Sequence, residues 1–295
     1  MTTSFSGPVK SNTAFWSNPV TLADLPTASS ANEGYIYYVS DALKPSESEG
    51  SGTGNLVFSN GSEWVTVSAG AGAVDPDFAS VSMLLKTTSG GSITDVTNNF
   101  GTINLGTAVV NSNQTKFQTG SLELTSDVVT VPYGSNRSLL DFGAGDFTVE
   151  FWMYRTSAGT VGPGTSYDGV LGSNSGATNG WTVYVGNTDN KLYWYSPQNA
   201  SINAGTATIS FNAWTHIAIA RSGSTLKTFI GGVEDLSMQN TTNQNTNGAY
   251  TDFYIGADIS ANRRFIGYLE DIRITKGVAR YTSTFTPPTE QFPSS

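Results

Sequence analysis

Hydrolysis of a glycosidic bond needs two carboxylates placed across the scissile linkage. The runs of this chain nearest to that arrangement are Glu150, in Val149-Glu150-Phe151, and the pair Glu270-Asp271, ahead of Ile272-Arg273. His216 is the only histidine, so a Ser-His-Asp triad or a multi-histidine metal site would rest on one imidazole. Its place mid-strand, on one face with Trp214 and Ala218, fits a hydrogen-bonded core or sheet-face residue better than a catalytic base. The loop carboxylates Asp95, Asp127, Asp189, Asp252 and Asp258 lack the spacing of an EF-hand. The other chemistry on offer is recognition of sugars, in which exposed aromatic rings stack on pyranose faces while Asn and Asp bond the hydroxyls. The candidates are Tyr193, Trp194 and Tyr195, with Asn187, Asp189 and Asn190 in the preceding loop, and Tyr167-Asp168. Adjacent strand residues point to opposite faces, so at least one of Tyr193 and Trp194 should meet solvent or an interface. A core Trp194 flanked by ordinary surface tyrosines is the competing reading.

These residues must be positioned by strands. In Phe147-Thr148-Val149-Glu150-Phe151-Trp152-Met153-Tyr154-Arg155, apolar Phe147, Val149, Phe151 and Met153 alternate with Thr148, Glu150 and Tyr154. That is the period of a strand with one buried face, bracketed by Gly143-Ala144-Gly145 and Thr156-Ser157-Ala158-Gly159. Similar strands are predicted at 121–124, 127–131, 180–185, 191–195, 213–221, 225–230, 253–255 and 265–275. Gly231-Gly232 reads as a two-residue hairpin turn. In the last strand Leu269 is out of phase with Ile272 and Ile274, which predicts a bulge near Glu270-Asp271. No segment shows sustained helical periodicity. Roughly a dozen strands joined by polar turns indicate an all-β sandwich of jelly-roll type.

Composition agrees. Of 295 residues, 38% are hydrophobic and 12% aromatic, which suffices for a large core, while 13% are charged and 32 are glycine. The net charge of −9 argues against nucleic acid or an anionic membrane, since both require basic patches. There is no cysteine, which removes disulfides, thiolate-ligated zinc and thiol chemistry. No apolar run approaches the length of a membrane span, and the polar stretch Met1 to Trp16 holds none long enough for a signal peptide.

Four regions are expected. Residues 1–25 read as an extended anchoring arm, broken by Gly7-Pro8, Asn18-Pro19 and Leu25-Pro26. Residues 26–68 read as a small β unit with an Asn-Gly hairpin at Ser59-Asn60-Gly61-Ser62. So small a unit needs a docking surface or repetition about a symmetry axis. Residues 69–80 read as a Gly/Ala-rich linker and 81–295 as the sandwich. Phe5, Phe15, Trp16, Tyr35, Tyr37 and Trp64 are the candidate docking residues of a homo-oligomer, most simply a trimer.

Phe147-Thr148-Val149-Glu150-Phe151-Trp152, Trp214-Thr215-His216-Ile217-Ala218-Ile219-Ala220-Arg221 and the run Gly267 to Tyr281, closing on Phe285-Thr286-Pro287-Pro288, resemble the laminin-G-like, concanavalin A-like jelly-roll family over about residues 81–292. The form with this C-terminal run resembles that of tailed-bacteriophage structural proteins. Ser6-Gly7-Pro8-Val9 and Gly34-Tyr35-Ile36-Tyr37-Tyr38-Val39 through Trp64-Val65 are similar to phage fibre and head-decoration proteins. The resemblance implies a non-enzymatic virion protein, made in the host cytoplasm and placed on the particle surface as a capsid decoration or head fibre bearing a lectin-like domain. Its partners would be its own copies, capsid or tail proteins, and surface glycans. A tail fibre or receptor-binding protein, a free carbohydrate-binding protein and a glucanase-like hydrolase are the alternatives. Enzymes of this fold carry Glu-x-Asp-x-Glu on one strand, and neither acidic run here has that spacing. No cofactor is implied beyond calcium, which the family often binds. Where the family commonly places an Asp after its first strand, Met83-Leu84-Leu85 instead runs into Lys86-Thr87, which would repel a cation.

Overall fold

The computed structural model describes residues 20–31, 35–40, 55–59, 61–67, 74–88, 90–159, 166–173, 179–197, 201–246, 251–258 and 263–295. The candidate docking residues Phe5, Phe15 and Trp16 lie outside them. The chain divides into two compact units, residues 1–74 and 75–295.

In the first unit, β1 (Ile36–Val39), β2 (Asn55–Ser59) and β3 (Trp64–Val67) form an antiparallel sheet in that order. The expected hairpin joins β2 to β3, with Gly61 at φ 88°, a backbone that suits glycine. Its core is small: Val39 and Val57 are fully buried, and Val20, Leu25, Tyr37 and Trp64 pack around them. Tyr37 and Trp64 meet edge to face at 5.3 Å, and Trp64 Nε1 donates to the Pro26 carbonyl at 2.6 Å. Tyr35 and Ile36 are exposed.

The second unit is a two-sheet antiparallel sandwich. One sheet has six strands: β13 (Ser201–Thr208), β12 (Lys191–Ser196), β11 (Thr182–Gly186), β10 (Tyr167–Gly172), β17 (Asp252–Ile255) and β8 (Val129–Pro132), side by side in that order. The other is built on β9 (Phe147–Arg155), which lies between β14 (Trp214–Ser222) and β18 (Ile266–Lys276). Beyond β14 come β15 (Thr225–Ile230) and β16 (Val233–Gln239). Beyond β18 come β4 (Val81–Thr87) and β5 (Ile93–Asp95), while β7 (Ser121–Thr125) also pairs with β18 and carries β6 (Val109–Asn111).

The inward sides interlock into one core. Phe147, Val149, Phe151 and Met153 of β9 meet Val183 and Val185 of β11 and Leu192 and Trp194 of β12 there. Ile230 pairs with Val233 across Gly231 and Gly232, both at positive φ (59° and 79°), as the two-residue turn requires. The predicted bulge is present: the β18–β9 register shifts between Glu270 and Arg273, and Asp271 takes φ 55°.

The alternation of β9 predicted one buried face, yet both are covered. Residues after β18 run back over the outer face of the larger sheet. Tyr281 and Phe285, stacked at 3.6 Å, lie on Ala218, Ala220 and Phe229. Phe292 is buried against Val81 and Leu84. The residues expected as the end of a linker, 75–80, also belong to this unit. Asp75 is buried beneath the strap, and its N–H donates to the Ser295 carbonyl at 2.9 Å.

Candidate functional site

The acids considered for hydrolysis are used to hold this outer face together. Glu150 projects from β9 away from the core and is fully buried. Its carboxylate takes Arg273 Nη2 at 2.8 Å, Tyr281 OH at 2.8 Å and, at 3.3 Å, His216 Nε2. Arg273 and Arg280 both bind Asp75, at 2.9 and 2.7 Å. Burial alone would raise the Glu150 pKa, but Arg273 and the His216 and Tyr281 contacts hold it down to about 2. His216 is thus the buried, face-directed residue that its position implied. Glu270 accepts three backbone N–H groups, from Lys116, Phe117 and Gln118, at 2.6–2.8 Å. Asp271 accepts the Phe292 N–H, and Lys86 donates to the Phe292 carbonyl, so the two clamp the strap. Burial pushes Asp271 up to about 7, against the pull of that N–H, Lys86 and Arg273.

The aromatic candidates lie on the other sheet. In β12 the odd positions Lys191, Tyr193 and Tyr195 are half-buried, while Leu192 and Trp194 are fully buried. Trp194 is therefore a core residue and not a sugar platform. It stacks between Trp181 at 5.4 Å and Phe147 at 5.5 Å, and its Nε1 donates to Gln244 Oε1. The outward residues come from three neighbouring strands. Tyr193 lies opposite Tyr184 of β11, and Tyr167 of β10 lies opposite Gly186. Tyr167 meets the Tyr193 ring edge-on at 4.9 Å, and Tyr184 lies 5.9 Å from Tyr167 and 6.3 Å from Tyr195. Three of the predicted tyrosines, 167, 193 and 195, thus share one face.

Tyr184 completes the group and was not among the candidates. The signal was present, since Tyr184 alternates with Val183 and Val185 as Tyr193 does with Leu192 and Trp194. It is the most covered of the four, because Arg263 lies over its ring at 5.6 Å. Gly169 of β10 lets that segment approach, since a Cβ there would stand 2.2 Å from the Asp258 nitrogen. Arg263 in turn pairs with Asp258 at 2.8 Å.

The polar candidates divide. Asp189 sits at the face, accepting the Tyr193 hydroxyl at 2.7 Å; burial and this bond raise the Tyr193 pKa. Asn187, in the same turn, is half-buried, and its Oδ1 is enclosed without a hydrogen-bond partner. Asp168 and Asn190 instead turn to Arg155 at the end of β9, accepting its Nη2 and Nη1 at 2.6 Å each. Asp168 is fully buried, and burial raises its pKa although Arg155 opposes the rise. Neither residue is on the tyrosine face.

The loop carboxylates considered for calcium have protein partners. Asp95 is saturated by the N–H groups of Leu84, Thr97, Asn99 and Phe100. Asp127 is bound by Thr125 and Thr107, and Asp258 by Arg263. Asp252 accepts the Thr251 hydroxyl at 2.7 Å. Among the described residues no three His, Cys, Asp or Glu side chains converge as a metal site.

Residues 123–280 match the Laminin_G_3 family, described as the concanavalin A-like lectin/glucanases superfamily. This chain belongs to that family. No curated protein sequence matches it. Among solved structures, the sandwich is similar to domain 4 of AbnA, a GH43 extracellular arabinanase from Geobacillus stearothermophilus, in complex with arabinotriose. The match has a TM-score of 0.50 and 19% identity, over 68% of this chain and 93% of that one. The receptor binding domain of botulinum neurotoxin D matches with a TM-score of 0.52 and 15% identity, over 68% of this chain and 50% of that one. The binding domain of Paraclostridial Mosquitocidal Protein 1 matches with a TM-score of 0.50 and 16% identity, over the same shares. At these identities the likeness is one of fold.

Proposed function

We propose that this chain is a non-enzymatic, glycan-binding protein displayed on a virus particle, and that Tyr167, Tyr193 and Tyr195 form its sugar platform. The observation that carries the binding reading is the convergence of these half-buried rings from β10 and β12 on one sheet face, with Asp189 and Asn187 at its edge. Rings held by their neighbours lose little freedom when a sugar stacks on them, which favours binding. The fold supports the same reading, because a similar domain is known in complex with arabinotriose. The absence of activity is supported by the acids themselves. Glu150, Glu270 and Asp271 are each bound by structural partners beneath or beside the strap.

The setting on a particle is supported by the resemblance of residues 6–9 and 34–65 to phage fibre and head-decoration sequences. In this reading the first unit, with exposed Tyr35 and Ile36, docks and trimerises, while the sandwich is displayed outward. Tyr37 and Trp64 then serve by building that unit's own core. Head decoration is preferred to a tail fibre because the sequence holds no long repeats or heptads. The test is affinity electrophoresis of the full chain in gels containing dextran, arabinan or galactan. We expect retardation by one or more of these and at least ten-fold weaker retardation for Tyr193→Ala and Tyr195→Ala. Release of reducing sugar would overturn the non-enzymatic reading. Gold-labelled antibody on purified particles would place the protein on head or tail, and its absence from particles would leave a free lectin.

A further inference from the structure

We infer that the tyrosine face selects neutral, hydroxyl-donating saccharides and rejects carboxylated or sulfated ones, an inference that rests on the reading of this face as a glycan site. The argument concerns which hydrogen-bonding roles are left for a ligand. A tyrosine hydroxyl has one proton and two lone pairs. Tyr193 gives its proton to Asp189 Oδ2 at 2.7 Å, and the Tyr184 hydroxyl points to Asp258 Oδ2 at 3.4 Å. With that proton committed, the Tyr193 oxygen faces a ligand as an acceptor. Asp189 is itself acceptor-only. Sugar hydroxyls bring donors. Carboxylate and sulfate groups bring further acceptors, which would face the oxygens of Tyr193 and Asp189.

Charge argues the same way. Among the described residues, the charged groups at the tyrosines and Asp189 are Asp189, Asp258, Lys191 and Arg263, with Arg155 behind them offset by Asp168, so the local charge sums to zero. The Arg263 guanidinium, the natural fork for a carboxylate or sulfate, is already paired with Asp258 at 2.8 Å. Lys191 is offset by Asp189 in the turn just before it. The whole chain carries −9, so an acidic polysaccharide is repelled on approach as well as at the face.

The test compares matched polymers on the full chain: dextran against dextran sulfate, and galactan against polygalacturonate, by affinity electrophoresis at low and high salt. We expect retardation by a neutral member at least ten-fold stronger than by its acidic counterpart, and unchanged between 20 and 500 mM NaCl. A neutral ligand gives the salt nothing to screen. In Asp189→Asn one negative charge is lost while an amide oxygen remains for Tyr193. At about 7 Å in water that charge is worth about a three-fold change in discrimination, so the neutral preference should narrow by about that factor. Stronger retardation by the acidic member, weakening as salt rises, would overturn this inference and leave the glycan site standing. Retardation by neither member of either pair, or retardation unaffected by Tyr193→Ala, would overturn the site itself.

Discussion

Trp194 and Tyr193 are neighbours in one strand, and the structure gives their truncations opposite consequences. Trp194 is fully buried, stacked on Trp181 and Phe147 at 5.4 and 5.5 Å, and bonded through Nε1 to Gln244, which is also fully buried. Replacing a buried tryptophan by alanine costs about 3–5 kcal/mol in lost transfer energy and cavity. The stranded Gln244 oxygen adds about 1 kcal/mol or more. A total of about 4–6 kcal/mol is a large part of the ~5–15 kcal/mol that holds a typical domain together. Trp194→Ala should therefore leave the sandwich marginal or unfolded at 25 °C. Trp194→Phe keeps the stacking and should fold with a smaller loss. Tyr193 is half-buried and gives up one edge contact with Tyr167 and one bond to Asp189, so Tyr193→Ala should cost about 1 kcal/mol. Urea unfolding followed by tryptophan fluorescence measures all three, and affinity electrophoresis measures binding of the folded variants. The reasoning is refuted if Trp194→Ala unfolds within about 1 kcal/mol of the parent and yet has lost its ligand. That outcome would put Trp194 on the binding face and Tyr193 in the core.

Glu150→Ala leaves His216 and the Tyr281 hydroxyl without their acid and Arg273 with Asp75 alone, and should lower stability by about 3 kcal/mol in denaturant titration. The pH dependence should have two limbs of opposite sign. Folded Asp271, pressed by burial and Glu270 against the pull of Lys86 and Arg273, keeps its proton to about pH 7, against 3.8 unfolded. The folded state then binds more protons between these values, so stability falls as pH rises from about 4 to 7, by on the order of a few kcal/mol. Asp271→Asn should flatten that decline. Glu150 sits at about 2, against an ordinary 4.5, so its contribution is present above pH 4.5 and is lost as pH falls towards 2. In the Gly231-Gly232 turn, Gly231→Ala meets no atom within 4 Å and pays only for its positive φ, about 1 kcal/mol. Gly232→Ala also drives a Cβ to 2.2 Å from the Phe285 carbonyl, so its thermal midpoint should fall further.

What the sequence revealed follows from where periodicity carries information. The alternation of β9, the double-glycine turn and the phase slip at Glu270-Asp271 are local patterns, and each appears where local geometry demands it. Period two also separates Tyr193 from Trp194, but it cannot say which of two aromatic faces is inside. Leu192 shares the Trp194 face, and an aliphatic neighbour marks a core side more reliably than another aromatic does, since Tyr carries a hydroxyl that wants water or a partner. The same test applied to Val183-Tyr184-Val185 would have brought Tyr184 into the group. The strands β13 and β16 were not foreseen. Both lie at sheet edges, and Ser201–Thr208 and Val233–Gln239 are largely polar or exposed, so no hydrophobic alternation announces them. The strap is the largest omission. Tyr281, Phe285 and Phe292 are spaced irregularly among prolines and polar residues, and only tertiary contact shows that they cover Glu150, His216 and Ala218. That contact decides the functional argument. An acid on the outward face of a central strand looks available for chemistry in the sequence, and becomes a structural ion pair once a distant segment closes over it. The tyrosine face keeps no such cover over Tyr167, Tyr193 and Tyr195 among the described residues, where all three rings stay half-buried, and that difference between the two sheets is why the proposed binding site is placed on the smaller one.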